Sequence, residues 1–420
     1  MMAMRFKKIL MSGVLSGLCI LAAGCAREKE TKAEPVVIPA IFGIDSETGI
    51  AENKDLIERF NEAYEGRYVI SPEWMMGTPE SYRARLKELN AVDKLPAIIT
   101  NIGVDESFYR MLVNHGRLVD IAPYMDETWK QTINKDMLEA CTEKNGAVYM
   151  SPIAAPTYSY SGIIYNREML ARAGYESFPE NWDEFFNCLD ALQNNGITPL
   201  ALQCGGTYWT PMLLTTAYGA KDEAGREFLK EQFPSDYNNE SMKDMMRFFK
   251  KIYDYTYSDV SDVDYSMARE RLVSGEAAMI ANGYWMLETF SEKEEEIFGF
   301  APFPGNVLMA SPKMTAWAVT SGYDEEVIRG AVEVMRFRAE ESRKNSEKFM
   351  SVSGTPLVND YKNAIKNADY IIPNYQLQWE QKIQNEFFNA YIPPYLDGSL
   401  SLEDFLKKMS ERARSILFDR

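Results

Sequence analysis

The 420-residue sequence contains a single histidine, His115, and only five cysteines. One imidazole and no closely spaced cysteine pair leave too few ligands for zinc or another histidine-held transition metal. The cysteines are Cys19, Cys25, Cys141, Cys188 and Cys204, and their wide, irregular spacing is no disulfide framework. The last three read as small buried thiols. Positive charge is in deficit: 45 Lys and Arg stand against 62 Asp and Glu, a formal net charge of −17. Such a chain offers no basic footprint for nucleic acid. No phosphate loop, dinucleotide fingerprint, serine nucleophile elbow or metal motif occurs, and Gln203-Cys204-Gly205-Gly206 lacks the Lys-Ser/Thr pair that a phosphate loop needs. There is no repeat at a solenoid period. No cofactor is implied.

What is present begins at the N-terminus. Arg5, Lys7 and Lys8 precede an apolar run from Ile9 to Ala23, shorter than the ~20 residues that span a bilayer. Leu21-Ala22-Ala23-Gly24-Cys25 closes it with small residues before a cysteine. Residues 1–24 are therefore expected to be a lipoprotein signal peptide, with Cys25 as the lipidated residue. This stretch resembles a bacterial lipobox, with its leucine one position further from the cysteine than usual. Residues 25–35, rich in Lys and Glu, cannot bury apolar surface and read as a solvated tether.

Beyond the tether, with 46% apolar residues overall, there is chain enough for more than one core. Val36–Ile44 reads as a strand, with Pro39 suggesting an edge or a bulge. Lys54–Glu65 carries Leu56, Ile57, Phe60, Ala63 and Tyr64 on one helical stripe. A strand at 67–72, a helix opened by Thr78-Pro79 and a short strand at 97–101 follow, so strand and helix alternate, as in a mostly parallel sheet. A second series starts near Tyr149. Asn181-Trp182-Asp183-Glu184 is a capping box, with Trp182 on the core face of the helix it opens. Further amphipathic helices are expected at 242–253, 327–337 and 402–416, the last capped by Ser401.

Several stretches then occur in a recognisable order: Asp55-Leu56-Ile57-Glu58-Arg59-Phe60; Leu95-Pro96-Ala97-Ile98-Ile99; Leu118-Val119-Asp120-Ile121-Ala122-Pro123-Tyr124; Val148-Tyr149-Met150-Ser151-Pro152 with Ile164-Tyr165-Asn166-Arg167; Pro179-Glu180-Asn181-Trp182; Leu272-Val273-Ser274-Gly275-Glu276-Ala277-Ala278-Met279 with Asn282-Gly283-Tyr284-Trp285; Phe303-Pro304-Gly305; and Leu396-Asp397-Gly398. Each is weak alone. In this order they resemble the bacterial extracellular solute-binding proteins, family 1, that serve sugar ABC transporters. Ala97 and Asn181 replace the Asp and Thr usual at their positions.

The resemblance implies an α/β, two-lobe periplasmic-binding-protein-like fold with a ligand cleft between discontinuous lobes. The first lobe would be 36–150 plus 303–350 and the second 151–302 plus 351–420, with the crossover near Ala301-Pro302. It implies no enzyme. It implies a monomeric, lipid-anchored receptor outside the cytoplasm that closes on a sugar and delivers it to ABC permease subunits.

A pyranose offers one apolar face and a rim of hydroxyls, so its site needs aromatic rings and polar side chains. The family often stacks sugar on the Trp of the Asn282-Gly283-Tyr284-Trp285 stretch, which nominates Trp285 and Asn282. Trp209 in a Gly-rich loop, Trp74 after the second strand and Trp379 join them. Asp45 and Glu47 after the first strand, Asn101 after the third and Tyr158 beyond the first crossing are candidates for the rim. Trp182, Trp129 and Trp317 are assigned to packing. A receptor for a peptide or polyol, a glycan adhesin and, less readily, a glycoside hydrolase are the alternatives.

Overall fold

The structure, a computed structural model, describes residues 34–418 apart from 45–46, 78, 105, 154–159, 206, 232–233 and 380. Ten strands are seen: β1 Val36–Ile44, β2 Tyr68–Met76, β3 Ile98–Thr100, β4 Ser161–Asn166, β5 Thr198–Leu200, β6 Ala277–Gly283, β7 Phe298–Ala301, β8 Val307–Ala310, β9 Trp317–Val319 and β10 Tyr370–Pro373. They form two sheets. The first has the order β2-β1-β3-β9; the second has the order β10-β8-β4-β6-β5, with β7 paired to β4.

In the first sheet β1 runs parallel to β2 and β3, while β9 is antiparallel to β3. The carboxyl ends of β1, β2 and β3 therefore share one edge. In the second sheet β4 opposes β6, β7 and β8, and β5 and β10 run with β6 and β8. The ends of β5, β6, β8 and β10 and the start of β4 again share an edge. The chain passes between the sheets three times: across 151–160, across 311–316, and between the helices Glu325–Ser351, packed on β1 and β9, and Pro356–Asn367, packed on β7. An antiparallel bridge between Ser151 and Trp317 ties the first two passages together.

Two expectations change. Pro39 lies in an interior strand. Proline is tolerated because β3 pairs with β1 only at Ala40 and Ile41, so one flank of β1 carries no ladder at Pro39. The crossover expected near Ala301-Pro302 falls later. Val307–Ala310 pairs with β4 and β10, so the chain leaves the second sheet only after Ala310.

Local chemistry accounts for the elements. Asn181 accepts a hydrogen bond from the Glu184 backbone N–H at 2.9 Å, while Glu184 reaches back to the N–H of Glu180, one residue short of a full capping box. Gly196 closes that helix at φ 72°. The helix that was expected at 327–337 extends over Glu325–Ser351, its second half carried by Arg59 pairing with Glu341 and by Lys344–Glu341.

One apolar cluster fills the face shared by both sheets, from Ile38, Phe42 and Trp129 to Ile280, Phe300 and Tyr361. The opposite faces have separate clusters: around Tyr82, Leu86 and Tyr109 in the first sheet, and around Trp182, Phe185, Phe249 and Trp379 in the second. Trp182, Trp129 and Trp317 are buried, as assigned. Cys141, Cys188 and Cys204 are free, buried thiols, each pushed up to about 12 by burial.

Candidate functional site

In the second sheet β6 ends at Asn282-Gly283 and a short helix, Tyr284–Leu287, starts at once. The turn needs its glycine for space. A Cβ on Gly283 would lie 2.2 Å from the Trp285 ring, so glycine is what lets the half-buried indole fold back on the strand end. Asn282 is fully buried. Its Oδ1 accepts from the Gly283 N–H at 2.9 Å, and its Nδ2 has no partner.

The loop after β5 brings the second ring. Tyr208 adopts φ 50°, in the left-handed region, and this turns the chain into the helix Trp209–Gly219. Trp209 thereby meets Trp285 edge to face, with ring centroids 6.3 Å apart at 65°. Two amides that sequence reasoning missed flank the same loop. Gln203 Nε2 donates to Thr207 Oγ1 at 3.1 Å, and Gln376, from the turn after β10, donates to the Thr207 carbonyl at 3.0 Å. Both amides are thus anchored through nitrogen, and both Oε1 atoms are buried without a partner. Nothing in the sequence marks Gln376, because its Thr207 anchor lies 169 positions away.

On the first sheet, Trp74 is half-buried and stacks on Phe42, its register partner, at 5.0 Å and 27°. Phe42 meets Trp317 edge-on at 5.1 Å. Asn101 follows β3 at φ 53° and donates to the Gly43 carbonyl at 3.4 Å. Tyr82 pins this end of the sheet. Its hydroxyl donates to the Ile41 carbonyl at 3.1 Å, lies 3.1 Å from Thr100 Oγ1 and accepts from the Thr100 N–H. Burial pushes the phenol up to about 12. A Cβ on Gly43 would sit 2.4 Å from its ring, so that position takes glycine for room.

The structure thus puts Trp285, Trp209 and Asn282 at the strand ends of one sheet, and Trp74 and Asn101 at the strand ends of the other. Trp379 is corrected. It is 1% exposed in the second-sheet core, against Tyr237, Tyr375 and Phe387, because the turn after β10 folds inward to close that core. Asp45, Tyr158 and Cys25 lie outside the described residues, as does the side chain of Glu47, which opens the helix Glu47–Ala63.

A cavity of about 980 Å³ lies elsewhere, between the two sheets on the β10 side of the crossings. The passage Ser311–Met314 contributes to its lining, with Arg110, Glu139 and Glu143 on one side and Arg226, Lys230 and Tyr370 on the other. None of the nominated residues lines it. Some of its charges are answered: Arg110 pairs with Glu143 at 2.7 Å, Lys230 pairs with Glu227 at 2.9 Å, and Arg226 lies over the Tyr370 ring at 4.5 Å. Lys230 is held above its ordinary value, mostly by Glu227 and in part by Glu139 on the facing lobe. Among the described residues no group of three or more His, Cys, Asp and Glu could hold a metal ion, and no helix is long and apolar enough to cross a membrane.

Comparison with known proteins agrees with this architecture. Residues 81–337 match the model of the bacterial extracellular solute-binding proteins. A "Probable sugar-binding periplasmic protein" of Brucella suis is 29% identical over 162 residues, 36% of this chain and 37% of that protein. The xylose/arabinose-binding protein XacG of Haloferax volcanii is 26% identical over 201 residues, 45% of this chain and 42% of its own length. The chain therefore spans about two-fifths of the length of these curated relatives. A chitin oligosaccharide binding protein has the same fold across 91% of this chain and 98% of its own, with a TM-score of 0.69 at 18% identity. With two α/β lobes, three crossings and a family match over more than half its length, the chain belongs to the bacterial extracellular solute-binding protein family.

Proposed function

We propose that this protein is the extracytoplasmic substrate-binding component of an ABC importer and that its cargo is a sugar or oligosaccharide. The observation that carries the reading is the corner at the ends of β5 and β6. There the half-buried Trp209 and Trp285 rings meet at the strand end that carries Asn282 Nδ2, and the Thr207 loop that leads into Trp209 holds Gln203 and Gln376, whose Oε1 atoms, like Asn282 Nδ2, are buried without partners. An unpaired buried polar atom costs free energy, and ligand hydroxyls would satisfy both the donor and the acceptors. Flat rings beside mixed donors and acceptors suit the two faces of a pyranose.

In this reading the two lobes, exchanging chain at 151–160, 311–316 and 351–356, close by a hinge motion around the ligand, with Trp74 and Asn101 approaching from the first lobe. Catalysis has no part in it, and Cys25 carries the lipid that holds a monomer at the outer face of the cell membrane beside its permease. The relatives' printed names, sugar-binding and xylose/arabinose-binding, support a saccharide cargo.

The test is a thermal-shift screen of the chain from residue 26 onward against mono- and oligosaccharides, polyols and short peptides, followed by calorimetry. A ligand that binds only the folded state raises Tm by mass action. A shift with one saccharide class supports the reading. A shift with peptides or polyols alone keeps the two-lobe receptor and removes the sugar.

A further inference from the structure

Arg338 has no counter-charge among the described residues. Arg338 projects from the long helix Glu325–Ser351 onto the second crossing. Its Nη2 donates to the Thr315 carbonyl at 2.6 Å, and its guanidinium lies 4.1 Å from the centroid of the Trp317 ring. Its Nη1 is cut off from solvent and has no hydrogen-bond partner. Burial pushes the group below its ordinary value, and no carboxylate among the described residues pulls it back. The other buried arginine-rich contacts are answered: Arg110 has Glu143, and Arg59 has Asp55 and Glu341. A guanidinium stays protonated in proteins, so an unanswered one is costly to keep.

A second unpartnered group lies on the residue that bridges to Trp317, whose ring Arg338 covers. Ser151 is 1% exposed and its hydroxyl has no partner. Ser151 and Trp317 exchange both backbone hydrogen bonds, at 2.7 and 3.2 Å, in an antiparallel bridge. Residues directly opposite in such a pair project to the same face, so the Ser151 hydroxyl and the Trp317 indole share one side. The row continues through Phe42 to Trp74, the aromatic nominated on the first lobe. Both orphans thus sit where two crossings meet. A fork of N–H donors beside a hydroxyl suits a planar anion such as a carboxylate.

We propose that Arg338, aided by Ser151, receives a carboxylate of the ligand, so that the cargo is an acidic saccharide: a uronic acid or an oligosaccharide that carries one. This rests on the sugar-capture reading above and narrows it. The ligand carboxylate supplies the counter-charge that no described residue gives. A neutral sugar of the same shape would leave the guanidinium unanswered.

The experiment is calorimetry on the chain from residue 26 onward, with galacturonate, glucuronate and their dimers set against galactose, glucose and their neutral dimers. The expected result is preference for an acidic sugar over its neutral counterpart. In Arg338→Gln that preference falls about tenfold to a hundredfold, the size of one charged hydrogen bond, and Arg338→Lys restores part of it. Near-ultraviolet circular dichroism reports whether each variant is folded. Should Arg338→Gln not fold, the wild-type preference alone decides. Neutral sugars binding as tightly as acidic ones would overturn the assignment while leaving sugar capture standing. Binding to no saccharide of either kind would overturn sugar capture, and this assignment with it.

Discussion

The cavity beside the second crossing and the corner at the ends of β5 and β6 differ in kind. The β10-side cavity is roomy, about 980 Å³, and Arg110, Glu143 and Lys230 on its wall already have partners. The corner at the ends of β5 and β6 is defined by two half-buried rings and three amide atoms with nothing to bond. Volume alone would choose the first. Unspent hydrogen-bonding capacity, three amide atoms against the cavity's Asn374 Nδ2, favours the second, because a folded chain keeps an unsatisfied buried group only at a cost, and a ligand is one way to recover it.

That contrast can be broken or sharpened by substitution. The largest effect is expected at Trp379, which belongs to neither. Trp379→Ala should cost ~3–5 kcal/mol of stability through a core cavity and leave affinity for the saccharide found in the screen unchanged. Calorimetry showing lost binding at an unchanged Tm would return Trp379 to the site. Trp285→Ala should do the reverse, weakening binding by roughly a hundredfold (about 2.7 kcal/mol) with little change in Tm. If its affinity matches that of the wild type, the corner is not the site.

Gln203→Ala and Gln376→Ala should each cost about three- to tenfold in affinity, one hydrogen bond apiece. The double variant should lose less than the product of the two, since both amides hang on Thr207. The smallest effect concerns the cavity. Burial opposes ionisation of Glu143, yet the Tyr109 hydroxyl at 2.6 Å and Arg110 together outweigh it and hold the carboxyl below its ordinary range. The unfolded chain therefore takes up this proton first. The contribution is complete above the usual glutamate range and is lost as pH falls through the folded-state value. Denaturant melts between pH 3 and 6 should show a loss of about 1 kcal/mol or less that Glu143→Gln abolishes, with ligand affinity unaffected.

Much of this was legible in the sequence, for local reasons. The Leu272–Met279 stretch encodes the end of the helix Tyr265–Val273, a left-handed Gly275 at φ 77° and the small residues of the fully buried β6. Asn282 and Trp285 follow from it by adjacency. Trp182 was legible because its cap and its helical period agree. What stayed hidden depends on distant chain. Pro39 needed to know how short β3 is, and the late crossover needed the pairing of Val307–Ala310 with β10, more than sixty residues downstream. Trp379 carried the same chemistry as Trp285, and only the inward turn after β10 separates the two.

The position of β9 has a consequence for how this protein is made. The first sheet is complete only when Ile98–Thr100 has paired with Trp317–Val319, and the helix Glu325–Ser351 must then cover it. A ribosome adding about 5–20 residues per second needs roughly ten to forty seconds to cross the interval between those two strands. Throughout that time the N-terminal half of the sheet has an open edge and an uncovered face and cannot lock. For a chain expected to be exported, late closure is useful, since the leading segment stays threadable until its own last strand has been synthesised.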